Sequence, residues 1–366
     1  MRHCPIVIDL FAGAGGLSKG LEQVGFSVKL AVDSDESSAT TYKYNHPKAK
    51  FIKKDIWDIP SKKLLKVIGL NREELDLLVG GPPCQGFSLS NTKTRDMSNP
   101  NNHLVFEFIK KSLETKPKWV LMENVAGLSS FENGSVRDKI IQLFAEIGYS
   151  VKCAVLNAAS FGVPQNRKRV FFIGNRVGTD LDFLDKMMEK REKNPLTIKD
   201  AIGDLPIIEN GNVVDEIQYR RGKPRAYQKL MRTNSSGTVR NNRVSKNSEL
   251  VIERYKFIEP GENWCAVLKK MPDLLLNYKD TKNCHSGIYR RLEWNKPSAA
   301  ITNFRKSMMI HPDHNRGLSV REAARIQSFP DDYIFFGSLG SQQQQVANAV
   351  PPLLAEAVGK QIIKVM

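Results

Sequence analysis

Residues 5–20 read "PIVIDLFAGAGGLSKG", and the way this stretch turns decides the fold. "PIVIDL" has the apolar, β-branched character of a buried strand. "LSKGLEQVG" places Leu17, Leu21 and Val24 on one helical face and stops at Gly25. Between them, Gly13, Gly15 and Gly16 permit a tight turn and let a ligand approach the backbone. Outward from this unit the alternation continues. "SVKLAV", "KFIKKDI", "ELDLLVGG" and "KWVLMENV" read as strands, and "LVFEFIKKSLETK" and "SVRDKIIQLFAEIG" read as helices. "SVKCAVLNA" and "RVFFIG" are further strands. The pattern predicts an α/β sheet, mostly parallel, with helices on both faces: a Rossmann-like domain over 1–175.

From about Arg176 to His314 the periodicity weakens and Lys, Arg, Asn and Gly accumulate. "RTNSSGTVRNNRVSKNSE" is a loop signal, so 176–314 is expected to form a smaller, irregular second domain. Residues 315–366 turn helical and apolar again, and the last helix is expected to return to the first domain. "QQQQ" (Gln342–Gln345) carries no signal by itself.

Of the 366 residues, 41% are hydrophobic and 26% charged, which suits a folded domain with a sizeable core. No run of about 18 apolar residues suggests a membrane span. Lys plus Arg is 55 and Asp plus Glu is 39, a net charge of +16 that favours a polyanionic partner. The five cysteines are odd in number and form no Cys-x-x-Cys pair, which argues against a disulfide framework or a structural zinc. A cytoplasmic, reducing setting is expected. His311 and His314 in "HPDH" have no neighbouring ligand set, so no metal is expected.

The glycine turn has two acidic companions. Asp33 follows the second strand, where an acid can bind both hydroxyls of a ribose. Asp55 follows the third, within reach of an adenine amino group. A dinucleotide fingerprint would need glycine where Ser18 stands. A ligand with ribose and adenine but no phosphate fits better, and S-adenosylmethionine is one.

"VGGPPCQGFS" (Val79–Ser88) supplies a reactive centre. Cys84 follows a strand end, Pro82 and Pro83 stiffen the chain before it, and Gly80, Gly81 and Gly86 clear the space around it. Most free cysteines are inert packing residues. This one has the frame of a nucleophile, given a depressed pKa or a nearby cation. Glu123, inside the apolar run of "MENV", is expected to have a raised pKa and to donate as a carboxylic acid. Arg167 and Arg169 in "QNRKRVFFIG" are two apart, so an extended chain points them to one face. Taken singly, each has a bland reading as strand-end or edge charge.

Together these blocks resemble the DNA (cytosine-5)-methyltransferases of bacterial restriction–modification systems. "DLFAGAGG", "GGPPCQGFS", "ENV", "QNRKRVFFIG", "REAARIQSFPDDY" and "QVANAVPP" occur in the family's order and span nearly the whole chain. The resemblance implies methyl transfer from S-adenosylmethionine to carbon 5 of a cytosine flipped out of duplex DNA, through a Cys84 adduct. It implies Glu123 on ring nitrogen 3 and the exocyclic amine, Arg169 on the base carbonyl, and Arg167 in support. The implied cofactor contacts are Phe11, the glycines Gly13, Gly15 and Gly16, Asp33, Ser34, Asp55, Ile56, Pro83, Leu104 and Asn348. The 176–314 region falls where the family carries its target-recognition domain. A monomer on DNA is implied, with any cognate restriction endonuclease acting separately.

Three positions depart from the family pattern. Asn101 stands where an arginine often follows the proline of the catalytic loop, so that one phosphate contact is either missing or supplied by Lys93 or Arg95. Ala347 replaces the glycine of "QVANAVPP", and Ser34 stands where an aromatic often covers the adenine. A tRNA cytosine-5 methyltransferase shares the same core blocks, but the long basic recognition region favours DNA. A catalytically silent relative is at odds with the presence of Cys84, Glu123 and the glycine turn, and a nicotinamide dehydrogenase leaves Cys84 unexplained. Arg220, Arg221, Lys223, Arg225, Arg240 and Arg243 are candidate DNA contacts.

Overall fold

The computed structural model describes residues 4–83, 103–234, 237–276, 287–302, 304 and 309–366. It divides into two compact units. One comprises residues 1–161, 167–193 and 350–366, and the other 162–166 and 194–349.

The first unit is built on a sheet of β1 (Ile6–Leu10), β2 (Ser27–Asp33), β3 (Lys50–Lys53), β4 (Leu77–Gly80), β5 (Trp119–Val125) and β6 (Ser150–Asn157). The two-residue strand β7 (Gln165–Asn166) belongs to the second unit, and β8 (Lys168–Asn175) completes the sheet. The order is β3-β2-β1-β4-β5-β8-β6. β1 to β5 pair in parallel, whereas β8 runs antiparallel to both β5 and β6. The connection from β6 to β8 is too short to hold a helical crossover, so the chain can only come back antiparallel. β4 and most of β5 are buried along their whole length, as expected of strands covered on both faces.

Helices α1 (Gly16–Gln23), α2 (Glu36–Asn45), α3 (Ser61–Ile68), α4 (His103–Thr115) and α5 (Ser135–Glu146) cover this sheet. Ile8, Leu10, Val32, Leu78, Phe108, Met122, Phe144 and Phe172 are among the residues of its main core cluster. The C-terminal helix Pro352–Val365 packs against α1. Gly20 is the point of closest approach: a Cβ there would lie 2.3 Å from the Pro352 carbonyl oxygen.

The second unit has no extended sheet among its described residues. β7 pairs in parallel with Ser298–Ala299, and Ile217–Gln218 pairs antiparallel with Thr238–Val239. One apolar cluster gathers Tyr255, Ile258, Trp264, Val267, Tyr289 and Ile310. Elsewhere the unit is held by buried arginines on and beside helix Val320–Ile326. Arg325 meets Asp331 through Nε at 2.5 Å and Nη2 at 2.6 Å, and donates from Nη1 to Asp204 at 3.1 Å and to the Ala201 carbonyl at 2.9 Å. Arg316 grips Glu322 with two bonds of 2.8 Å. "HPDH" is a turn: His311 Nδ1 accepts from the backbone N–H groups of Asp313 and His314, and burial pushes its pKa down to about 4. Among the described residues no helix is long and apolar enough to cross a membrane.

Candidate active site

β1 delivers the chain to the glycine turn at the C-terminal edge of the parallel strands. Phe11, Gly13 and Gly15 take left-handed backbone conformations, with φ of 59°, 53° and 91°. For Phe11 that conformation carries a strain of about 1–3 kcal/mol. Its ring packs on the same core cluster that holds Ile56 and touches Leu104. The turn is tied to β2: Ala12 N–H donates to the Val32 carbonyl at 3.0 Å. Asp33 Oδ2 accepts from Gly13 N–H at 2.7 Å, and its Oδ1 accepts from Asp35 N–H at 2.9 Å.

Asp33 therefore shapes the turn as well as ending the strand. Burial raises its pKa, while the backbone donors act in the other direction. Each carboxylate oxygen has two lone pairs, so the bonds above leave capacity for ribose hydroxyls. Among the described residues nothing lies within 4 Å of where a Cβ of Gly13 would be, so they leave the space beside the turn open.

Asp55 caps the short 3-10 turn Ile56–Asp58, accepting from Trp57 N–H at 3.1 Å. Ser34 and Pro83 are exposed. Ile56 is turned into the core. Asn348 and Ala347 lie on helix Leu339–Asn348 of the second unit, where Asn348 Oδ1 accepts from Gln344 at 2.6 Å.

β5 and β8 build the charged part of the site. Val125 lies opposite Arg169 and Glu123 opposite Phe171, so Glu123 and Arg169 are diagonal neighbours across the pair. Arg169 Nε meets Glu123 Oε1 at 2.8 Å. Arg167 is wholly buried just before β8, and its carbonyl accepts from Ala158 N–H. Burial raises the pKa of Glu123, opposed by Arg169 and then Arg167. Burial also holds the Arg167 pKa well below its usual value, and the like charge of Arg169 lowers it further.

The same strand fixes the frame leading to Cys84. Asn124 Nδ2 donates to the Pro82 carbonyl at 3.0 Å. A Cβ on Gly81 would stand 3.1 Å from Glu123 Oε2, so glycine there leaves the carboxyl its room. Cys84 itself, with Lys93, Arg95 and Asn101, lies outside the described residues. Site residues thus gather in two groups: the glycine turn with Phe11 and Asp33, and Glu123 with Arg167 and Arg169 beside Gly81–Pro82. A carboxylic acid and a guanidinium held together at a strand end can protonate one edge of a planar base while gripping its carbonyl.

Residues 6–364 match the family model of the C-5 cytosine-specific DNA methylases. The chain belongs to that family. It is a DNA (cytosine-5)-methyltransferase, EC 2.1.1.37. It is 35% identical to the Type II methyltransferase M1.HphI of Haemophilus parahaemolyticus, over 98% of this chain and 86% of the relative. It is also 35% identical to the Type II methyltransferase M.DdeI of Desulfomicrobium norvegicum, over 97% and 88%. A solved prophage-encoded protein of E. coli superposes with a TM-score of 0.79 at 27% identity, covering 99% of both chains. The Dnmt2 methyltransferase of S. pombe, at 15% identity and a TM-score of 0.62 over 98% of this chain and 99% of that one, shares the fold.

For this methyltransferase, sequence reasoning missed two supporting residues. Asn124, inside the "ENV" block, clamps the proline frame. Asp9, the first residue of "DLFAGAGG", is buried beneath the turn and receives a 2.6 Å bond from Ser18. An acid inside a buried apolar strand was the available signal for Asp9.

Proposed function

We propose that this enzyme methylates carbon 5 of a cytosine flipped out of a specific duplex DNA sequence, through a covalent Cys84 adduct. We further propose that it is the protective methylase of a restriction–modification system, acting in the cytoplasm as a monomer on DNA, with any partner nuclease separate. The observation that carries this reading is the pair of buried Glu123 and half-buried Arg169 beside the Gly81–Pro82 frame. S-adenosylmethionine, when bound, supplies an electrophilic methyl on a sulfonium. The open glycine turn and Asp33 would hold it, with Phe11, Ser34, Asp55, Ile56, Pro83, Leu104 and Asn348 as further contacts.

Carbon 5 of cytosine is a poor nucleophile. The Cys84 thiolate adds to carbon 6, forming a C–S bond and pushing an electron pair into the ring. Glu123, whose pKa burial raises, donates as the acid to ring nitrogen 3 and accepts from the exocyclic amine. Arg169 holds the base carbonyl, and Arg167 supports the site. Carbon 5, made nucleophilic in this way, would take the methyl group that the bound sulfonium supplies, the methyl–sulfur bond breaking to leave a neutral thioether. Loss of the carbon 5 proton to a base returns the electron pair and expels the Cys84 thiolate. These atoms are unreachable in a stacked duplex, so the base leaves the helix first.

The basic residues of the second unit support a polyanion. Lys199, Arg220, Arg221, Lys223 and Arg225 line one pocket of about 410 Å³ together with Trp294. Methyl transfer to duplex DNA and to tRNA, followed by bisulfite sequencing of DNA from expressing cells, tests the reading. One modified cytosine in a fixed DNA sequence is expected, and none with Cys84→Ser. Methylation of tRNA alone, or an active Cys84→Ser protein, overturns it.

A further inference from the structure

Asp9 is buried beneath the glycine turn and has no part in the mechanism above. Ser18 Oγ donates to its Oδ2 at 2.6 Å and lies 2.6 Å from the Tyr42 hydroxyl. Tyr42 stacks on His46 with ring centroids 4.3 Å apart, and His46 Nδ1 meets Glu22 Oε2 at 2.9 Å. The other carboxyl oxygen, Oδ1, is buried with no hydrogen-bond partner among the described residues. Leaving such an atom unpaired is costly unless something bound compensates it.

Among the described residues, the charged groups that shift Asp9 are acidic. α1 contributes Ser18 and Glu22, α2 contributes Tyr42 with His46 behind it, and β2 contributes Asp33. β4 sets Val79 opposite it, which does not titrate. Burial first, then Asp33 and Glu22, raise its pKa to about 7, against the Ser18 bond. Asp33, beyond the glycine turn, and Glu22, near the C-terminal end of α1 and hydrogen-bonded to His46, both add like charge to Asp9. A positive ligand is the missing counter-charge.

The cofactor assigned to this turn carries a sulfonium and a net positive charge. Its demethylated product is a thioether with no charge at sulfur. We propose that Asp9 is a positioning and selectivity residue, whose carboxylate charge beneath the glycine turn favours the sulfonium cofactor over its thioether product. This rests on the cofactor reading above. It goes beyond that reading by giving product release an electrostatic cause: methyl transfer removes the charge that Asp9 attracts. The sign of the pH dependence follows. A cation stabilises the ionised carboxylate, so its binding lowers the Asp9 pKa and releases protons near neutrality. Cofactor affinity therefore rises as pH passes upward through about 7, and product affinity gains no such term.

The test is calorimetric titration of the full chain with S-adenosylmethionine and S-adenosylhomocysteine, at pH 6 and pH 8, in two buffers of different ionisation enthalpy. The preference for cofactor over product is expected to grow by about fivefold between the two pH values, most of one pKa unit's worth of differential interaction. Proton release is expected to be larger with the cofactor. Asp9→Asn should flatten the preference and remove the extra proton release. The ligand's own amino group titrates alike in both proteins, so the difference isolates the carboxyl. Ser18→Ala deletes a bond that favours the ionised form, and should move the transition to higher pH. A preference unchanged in Asp9→Asn, or equal weakening of both ligands, leaves Asp9 a merely structural role and overturns the proposal. If Asp9→Asn does not fold, an unmoved transition in Ser18→Ala overturns it instead. Wild-type protein that binds neither ligand overturns the cofactor reading itself.

Discussion

Both units bury charged side chains, and two clusters among them are treated in opposite ways. In the second unit's pairs around Arg316 and Arg325 the surroundings favour the charged forms, although burial lowers Arg291, Arg321 and His311 in the same unit. Glu322 is held down to about 2 by Arg316, against its burial, and Asp331 is lowered by Arg325 in the same way. Arg325 is raised by Asp331 and Asp204. In the first unit burial wins. Asp9, Asp33 and Glu123 are raised, and Arg167 is lowered. The difference separates two uses of a buried charge. Where partners outweigh desolvation the charge holds the fold together. Where desolvation outweighs partners the group is poised to exchange a proton or meet a ligand, and such groups cluster at functional sites.

The contrast breaks most directly at Arg325. Arg325→Ala removes the closest guanidinium from Asp331 and one of two from Asp204, leaving them Tyr219 with Arg321 and Arg232 respectively, and should cost about 3 kcal/mol of stability, read from urea unfolding. A loss below about 1 kcal/mol would show that the network is incidental. Glu123→Gln should do the reverse. It keeps the size of the side chain, removes a carboxyl that burial disfavours, and leaves the unfolding midpoint within about 1 kcal/mol of wild type. Its kcat for methyl transfer should fall by about 10²–10³, the scale of losing one acid or one preorganised donor. A variant that loses stability and rate together would erase the distinction.

The pH dependence of stability should also run in opposite directions. Glu322 is ionised in the folded state down to about pH 2, so its contribution is complete above its unfolded pKa near 4.5 and is lost as pH falls below that. The span corresponds to about 3 kcal/mol. Asp9, raised to about 7, favours the folded state most below its unfolded pKa of 3.8, and that advantage fades as pH rises towards 7. Glu322→Gln should therefore flatten the acid limb of a stability–pH curve. Asp9→Asn should raise stability at pH 8 by up to about 4 kcal/mol and far less at pH 4. Equal effects of Asp9→Asn at both pH values would count against a titrating carboxyl.

The two units were also unequally legible. In the first, continuous apolar strands and a glycine turn are local signals, and Asp33 and Glu123 stand where strand arithmetic puts them. What local signals missed were the partners. Ser18, read as an absent glycine, is the link between Asp9 and Tyr42. In the second unit almost everything depends on distant residues. Arg325 reaches Asp204 across 121 positions, and no periodicity announces such a bond. "QQQQ" carried no signal, yet Gln342, Gln343 and Gln345 are buried and donate to the Gly337 carbonyl, Ser245 and the Phe336 carbonyl. Of the basic candidates for DNA, Arg225 is paired with Asp200 at 2.7 Å and Arg240 with Asp215 at 3.4 Å. Sequence alone does not tell a cation paired within the protein from one left for a ligand.

That last distinction yields the smallest effect and the finest test of the comparison. Arg221 and Lys223 are exposed on the rim of the basic pocket, and the surface there is solvated. Removing either should leave stability within about 0.5 kcal/mol. If each neutralises one phosphate, the slope of log binding constant against log salt should fall by about 0.9 per substitution, for cognate and non-cognate duplexes alike. Arg225→Ala should behave differently, because its guanidinium also caps the arrangement around Asp200 and Thr197. It should lose some stability and a smaller share of the salt slope. Should Arg221→Ala weaken only the cognate duplex, the residue reads a base edge, and the loss should be about 1–3 kcal/mol confined to one position of the site. Should neither slope nor affinity change, the pocket's cations are a solvated surface, and polyanion binding must be carried by other residues.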